Sequence, residues 1–239
     1  MEKPPSFEVA SIKPTRKDEG DRDWDSGADR LRIEGYSLRN LIASAYGLKS
    51  DSQVLGGPDW IDKRRFDIAA KVDDAEMAKL KSMHGEDFHN EWNLMMQSLL
   101  AERFGLKVSP GRRTIPVFAL VVAKSGARLA PVAANETGHN LSVHGPHVTA
   151  TAVSMDALAE YLTQMSETGR VVLNRTGLTG EYDFKMDWTR DRGNGIPPDA
   201  PYPGLFTALE EQLGLKLKSQ KGDVSVVVVD AASEPAFDN

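Results

Sequence analysis

Hydrophobic positions along the chain fall into an order that occurs twice. Leu31, Ile33 and Tyr36 mark a short strand, and Leu38, Leu41, Ile42 and Ala45 then recur at the three- and four-residue spacing of a helix. Further along, Val148, Ala150 and Val153 mark a strand, followed at helical spacing by Met155, Leu158, Ala159 and Leu162. A serine stands at each switch of period, Ser37 and Ser154, 117 residues apart. A serine hydroxyl accepts from a free amide of the first helical turn, so both are predicted N-caps. Asp156, in the first turn of the second helix, complements the positive helix end.

The order continues with a strand rich in aromatic and β-branched residues, 66–72 in one case and 182–188 in the other, 116 residues apart. Each follows a turn-forming stretch, Gly56-Gly57-Pro58 and residues 176–180. In the second case a short extra strand, 170–173, precedes the turn. A third block matches Met96, Leu99, Leu100, Phe104, Gly105, Leu106 and Lys107 with Leu205, Ala208, Leu209, Leu213, Gly214, Leu215 and Lys216, 109 residues apart. These are amphipathic helices, each stopped by a glycine suited to a left-handed cap, and a strand follows each, 117–122 and 224–229. The offset shrinks because residues 73–92, polar and helical in pattern, are inserted in the first case.

The pattern predicts an α+β fold built by tandem duplication of a β-α-β-β-α-β unit, with mixed or antiparallel sheets and packed helices. The expected division is an N-terminal strand and mobile loop at 1–29, a first unit at 30–130, a connection at 131–146 and a second unit at 147–239. Residues 190–204, with three glycines and four prolines, form a long loop inside the second unit.

Composition narrows the function classes. A hydrophobic fraction of 40% beside 27% charged residues is ordinary for a folded chain. The net charge of −6 argues against a general nucleic-acid partner, which needs a basic face. No apolar run reaches the ~18 residues of a membrane span, so no membrane insertion is expected. With no cysteine there are no disulfides or thiolate metal sites. The first residues, Met1-Glu2-Lys3-Pro4-Pro5, carry no apolar signal region. The chain is then either cytoplasmic or a mature form with an added start methionine.

Candidate chemistry is sparse. His139, His144 and His147 lie within nine residues, close enough to share a zinc or nickel ion, although surface-loop histidines are more often without metal. His84 and His89, five apart, fall on different faces of a helix. No Gly-x-Ser-x-Gly turn offers an activated serine. Asp67 and Asp183 occupy matching places in the repeated strand. They read either as an acid/base pair of the glycosidase type or as acceptors for turn amides and arginines. The second reading is favoured, because a feature found in both units answers a need of folding. Trp60 and Arg103 differ from their counterparts and are the candidate ligand-binding residues, against an ordinary half-buried tryptophan and a helix-end arginine. No cofactor motif is present, and none is expected to be bound.

Several blocks taken together carry a family resemblance. They are residues 7–14, Gly57-Pro58-Asp59-Trp60-Ile61 leading to Phe66-Asp67-Ile68, residues 99–106, residues 176–184 and the helix at 208–217. They resemble a soil-associated family abundant in Acidobacteria, a domain of unknown function also found fused to BlaR1-type membrane peptidases. The resemblance spans nearly the whole chain. It implies a mature extracytoplasmic form, periplasmic or secreted, whose signal peptide has been removed, and it brings neither a reaction nor catalytic residues. The order of elements in the second unit is also similar to the short N-terminal domain of secretins and TonB-dependent transducers, which implies docking of other proteins. The expected function is an extracytoplasmic binding or signalling module for a protein or cell-envelope ligand. The alternative is a hydrolase of envelope or extracellular polymers using Asp67, Asp183 or His144.

Overall fold

The computed structural model describes residues 4–16, 22–27, 29–132, 140–165, 167–191 and 195–236. The chain divides into two compact units, Met1–Arg113 with Val224–Asn239, and Thr114–Asp223. The C-terminal residues therefore belong to the first unit, whereas the sequence pattern assigned them to the second.

Unit 1 holds β1 (Val9–Pro14), β2 (Asp23–Ser26), β3 (Arg30–Ser37), α1 (Leu38–Ala45), β4 (Val54–Gly56), α2 (Trp60–Lys63), β5 (Arg65–Lys71), α3 (Asp74–Ser82) and α4 (Glu86–Phe104). Its antiparallel sheet has the order β1-β5-β3-β2. Two long strands, β6 (Lys107–Val122) and β12 (Leu215–Ala231), are neighbours and contribute residues to each unit. Unit 2 holds β7 (Ala130–Pro131), β8 (Asn140–His144), β9 (His147–Ser154), α5 (Met155–Gln164), β10 (Val172–Asn174), β11 (Glu181–Asp187) and α6 (Leu205–Leu213). Its antiparallel sheet has the order β7-β11-β9-β8. In unit 1, β4 runs parallel to β12, Val54 opposite Val227; in unit 2, β10 runs parallel to β6, Val172 opposite Phe118. Helices beside antiparallel and mixed sheets make the fold α+β.

Local chemistry sets the boundaries of these elements. Ser37 (φ −76°, ψ 158°) and Ser154 (φ −74°, ψ 158°) take nearly the same backbone conformation and cap α1 and α5. The Ser37 hydroxyl accepts from the Asn40 amide at 3.3 Å, and the Ser154 hydroxyl from the Ala157 amide at 3.2 Å. Gly105 (φ 54°) and Gly214 (φ 63°) end α4 and α6 in the left-handed conformation, which costs glycine least. The helix positions named from the sequence face inward: Leu38, Leu41, Ile42 and Ala45 are buried in the core of unit 1 with Ile33, Phe66 and Phe104. Met155, Leu158, Ala159 and Leu162 are buried in the core of unit 2 with Met186, Trp188 and Leu209. Each fully buried leucine or phenylalanine of this kind contributes about 1.5–3 kcal/mol.

Three expectations are corrected. The stretch read as a loop at 15–29 contains β2, an edge strand whose Asp-Trp-Asp-Ser sequence hides it from a hydrophobicity pattern. The connection read at 131–146 begins at the end of β7 and contains β8, a hairpin partner of β9. The short strand before the turn is no extra of one unit, since β4 stands in unit 1 where β10 stands in unit 2. Among the described residues no helix is long and apolar enough to cross a membrane.

Candidate functional site

The two strand aspartates sit at β-bulges. In unit 1 the pairing of β3 with β5 slips between Ile33 and Tyr36, and Gly35 adopts φ 77°. An irregular residue of this kind turns its amide out of the ladder and needs another acceptor. The Asp67 Oδ1 accepts it at 3.0 Å, and also accepts from the Thr15 hydroxyl at 2.6 Å. In unit 2 the pairing of β9 with β11 slips between Tyr182 and Phe184, and Ala152, a non-glycine residue, adopts φ 51°. Here the Asp183 Oδ1 accepts the Ala152 amide at 2.8 Å. Each carboxylate therefore completes the hydrogen bonding of its own sheet.

Of the three histidines read as a possible metal cluster, His144 and His147 lie at the β8–β9 hairpin. His144 and His147 are opposite one another across the turn of Gly145 and Pro146. The Ser142 Oγ and His144 Nδ1 are 3.1 Å apart, and His147 Nδ1 pairs with Asp187 Oδ1 at 2.8 Å. Both side chains are exposed, and the His147 ring meets Tyr202 edge-on at 5.6 Å. His139 lies outside the described residues. Among the described residues no three histidine or acidic side chains gather in a way that could hold a metal ion.

Among the described residues, Trp60 is not part of the cavity that Arg103 lines. Trp60 is half-buried in unit 1, parallel to Phe104 at 6.5 Å and edge-on to Phe66 at 6.3 Å, so its ring extends the core. The preceding turn is held by Arg39, which donates to the carbonyl of Gly56 at 3.4 Å and to Asp62 at 3.0 Å. Arg103, also half-buried, lines a cavity of about 260 Å³ with Glu102, Leu99 and residues 6–10. Its counterpart in the sequence match, Gln212, has a plain structural task. Its side-chain amide takes both backbone groups of Asp187, accepting from the N–H at 2.9 Å and donating to the carbonyl at 2.7 Å.

A larger concave surface lies in unit 2, where the sequence reading placed no site. It is a groove of about 600 Å³ between α5, the start of β8 and the end of β9. Leu141, Val153 and Tyr161 give it an apolar interior, and Asn140, Glu160 and Glu181 also line it. Its volume lies in the range of small-ligand sites, about 300–1,000 Å³. Burial pushes the Tyr161 phenol above its ordinary pKa; Arg190 pulls it down and Glu167 pushes it further up. The Glu167 carboxylate is buried, 3.4 Å from the Trp188 indole nitrogen and 3.5 Å from the Arg190 side chain.

One sequence signal could have found this groove. Glu160 and Tyr161 stand 117 residues after Ala43 and Ser44, so long side chains replace small ones at matching helix positions.

Comparison with protein families places the chain. A family model described as "Protein of unknown function (DUF3738)" matches residues 39–232, most of the chain. The chain belongs to that family. The match to DUF3738 runs from within α1 to the end of β12, and so takes in Asp67, the bulge of unit 2, the hairpin and the groove. No curated protein and no solved structure matches the chain.

Proposed function

We propose that this protein is an extracytoplasmic, periplasmic or secreted, binding or signalling module that recognises a protein or cell-envelope ligand without transforming it. The observation that carries the reading is the groove of unit 2, with an apolar interior and polar residues also lining it. The employment of Asp67 and Asp183 by their own bulges supports it, because it assigns the most suggestive carboxylates to folding. We infer further that the two units arose by tandem duplication. Sheets of matching order, two serine caps with nearly equal dihedrals, two left-handed glycine caps and two aspartate-held bulges support that origin. The resemblance to the Acidobacteria family fused to BlaR1-type peptidases, and to the docking domain of secretins and TonB-dependent transducers, favours a receptor-like role outside the cytoplasm.

The test is a thermal-shift screen of the purified chain against muropeptides, envelope oligosaccharides and envelope proteins, run beside a panel of chromogenic hydrolase substrates. A saturable rise in melting temperature without turnover is expected. Turnover that is lost in Asp183→Asn or His144→Ala, in proteins that still unfold cooperatively, would establish the hydrolase instead. Fractionation of cells expressing the native gene should recover the protein outside the cytoplasm; recovery inside would refute the location.

A further inference from the structure

Side chains alternate across the start of β12, and their contacts fix which face each one takes. Leu215 and Leu217 are buried in the core of unit 2 with Leu120 and Val172. Ser219 and Lys221 continue that alternation on the same face, where both are exposed. Two contacts agree with this register. The Thr114 hydroxyl donates to Asp223 on this face, whereas a Cβ at Gly222 would meet Val117 and Leu173 on the other. Phe118 of β6 packs against the core of unit 2 from the first face and is half-buried. Phe206, the second residue of α6, meets the Phe118 ring edge-on at 5.5 Å and leaves 42% of its own surface exposed. The Arg170 guanidinium lies over the Phe118 ring, 5.3 Å from its centre, and donates to the Ser219 hydroxyl at 3.2 Å.

The ring and the hydroxyl hold the guanidinium in place and leave donors on its edge unused. Among the described residues no carboxylate pairs with Arg170 or with Lys221. An arginine held this way is set for two-point recognition of a carboxylate, with little ordering left to do on binding. Unit 1 has no such cluster at the matching places. Val54 pairs with Val227 as Val172 pairs with Phe118, so a valine stands for the inner ring. Gln97, 109 residues before Phe206, uses its side-chain amide to donate to the Ala45 carbonyl at 2.8 Å. Ser52 precedes Val54 by two residues, as Arg170 precedes Val172. The cluster therefore answers no folding need that the two units share.

We propose that Arg170, Lys221 and Phe206 form a docking surface for an acidic peptide segment of a partner protein, one with an apolar side chain beside its carboxylates. The surface shares no residue with the groove and stands or falls apart from it. A carboxylate of the segment pairs with Arg170, a second meets Lys221, and the apolar side chain covers the exposed part of Phe206. Charge complementarity of this kind selects the partner and speeds its approach. Aromatic residues and arginine are also the side chains enriched at protein interfaces. The size of the cluster points to a peptide. An anionic membrane is held by about 4–8 lysines and arginines together, and a nucleic acid by a broad basic face that a chain of net charge −6 does not lead one to expect. Arg170 and Lys221 beside one exposed ring suit a carboxylate or two and a single apolar anchor.

The probes are fluorescein-labelled peptides, one alternating glutamate and leucine, one alternating lysine and leucine, and one alternating glutamate and glycine, followed by fluorescence anisotropy. The glutamate/leucine peptide should bind, the lysine/leucine peptide should not, and the glutamate/glycine peptide should bind at least about tenfold more weakly. Arg170→Gln, which keeps a donor for Ser219, and Phe206→Ser should each weaken the glutamate/leucine peptide by about tenfold or more. Lys221→Glu, at an exposed position where folding is not at stake, should weaken it as well. Equal binding of both charge types, binding indifferent to all three variants, or no binding of the glutamate/leucine peptide overturns the proposal. Sedimentation with phosphatidylglycerol vesicles supplies the other arm: vesicle binding that is lost in Arg170→Gln while no peptide binds would make the surface a membrane contact and overturn the peptide.

Discussion

Removing the carboxylate that holds each bulge should cost stability, and the size of the loss follows from the contacts. Asp183 accepts a single backbone amide, that of Ala152, at 2.8 Å from a half-buried position. A hydrogen bond to a charged group is worth about 1.5–3 kcal/mol net, and partial exposure puts Asp183→Ala near the lower end, about 1.5 kcal/mol. Asp67 accepts two donors on one oxygen, the Gly35 amide and the Thr15 hydroxyl, so Asp67→Ala should lose more, about 2–3 kcal/mol. The asparagine variants keep an acceptor oxygen and should lose about half as much, because only the charge assistance is gone. For a chain of this length about 1 kcal/mol moves the melting temperature by about 2–4 °C, so Asp183→Ala should melt about 3–6 °C early. Hydrogen exchange gives the residue-level readout: the Ala152 amide should exchange about tenfold faster in Asp183→Ala, as 1.4 kcal/mol of lost protection requires, while the Gly35 amide is unchanged. An Asp183→Ala protein that melts like the parent, or an asparagine variant as damaged as the alanine one, would refute the account of the bulge.

Two further outcomes follow from the geometry. A Cβ at Gly214 would lie 1.9 Å from the Gly126 carbonyl oxygen, whereas one at Gly105 would lie 2.9 Å from the rotatable Ser233 hydroxyl. Gly214→Ala should therefore lose more than about 3 kcal/mol in urea unfolding, while Gly105→Ala loses about 1–2 kcal/mol from the left-handed backbone alone. Burial raises the pKa of Tyr46, and likewise that of Tyr161, so the folded chain keeps protons that the unfolded chain releases above about pH 10. The stability these phenols contribute is complete below that value and lost as the pH rises through their folded pKa. Tyr46→Phe and Tyr161→Phe should each flatten the fall in urea midpoint between about pH 9 and about pH 11.

The helices were legible because their period, caps and stops are local. Ser37, Ser154, Gly105 and Gly214 each act within a few residues of their own position, and the structure places each as its neighbours require. Two of the strands that escaped notice offer no pattern of their own. β2 offers one apolar residue, Trp24, and β7 is two residues long, so neither carries an alternation to read. The assignment of the C-terminal residues failed for a related reason. Val224–Val229 reads as a strand from its own composition, but its neighbour β4 lies more than 160 residues earlier, a pairing no local pattern records. The groove escaped because it is made by absence: small side chains at Leu141 and Val153 leave space that only three-dimensional neighbours define.

Matched and unmatched positions in the two units answer different questions. Asp67 and Asp183 occupy matching places in the sequence, and their agreement favoured a role in folding over an acid/base pair. Each is explained by one amide in its own sheet, and the explanation is the same on both sides, which is what a requirement of folding predicts. A binding site carries no such requirement, since a ligand of one unit places no constraint on the other. The informative positions are therefore those where matched backbones carry opposed side chains. Trp24 with Tyr36 closes the sheet face in unit 1, and Leu141 with Val153 opens it in unit 2. Ala43 and Ser44 leave the helix face of unit 1 small, and Glu160 and Tyr161 furnish it in unit 2. Filling the groove tests this directly: placing Trp at 141 and Tyr at 153 should abolish the ligand-induced thermal shift while leaving the bulge amide of Ala152 protected.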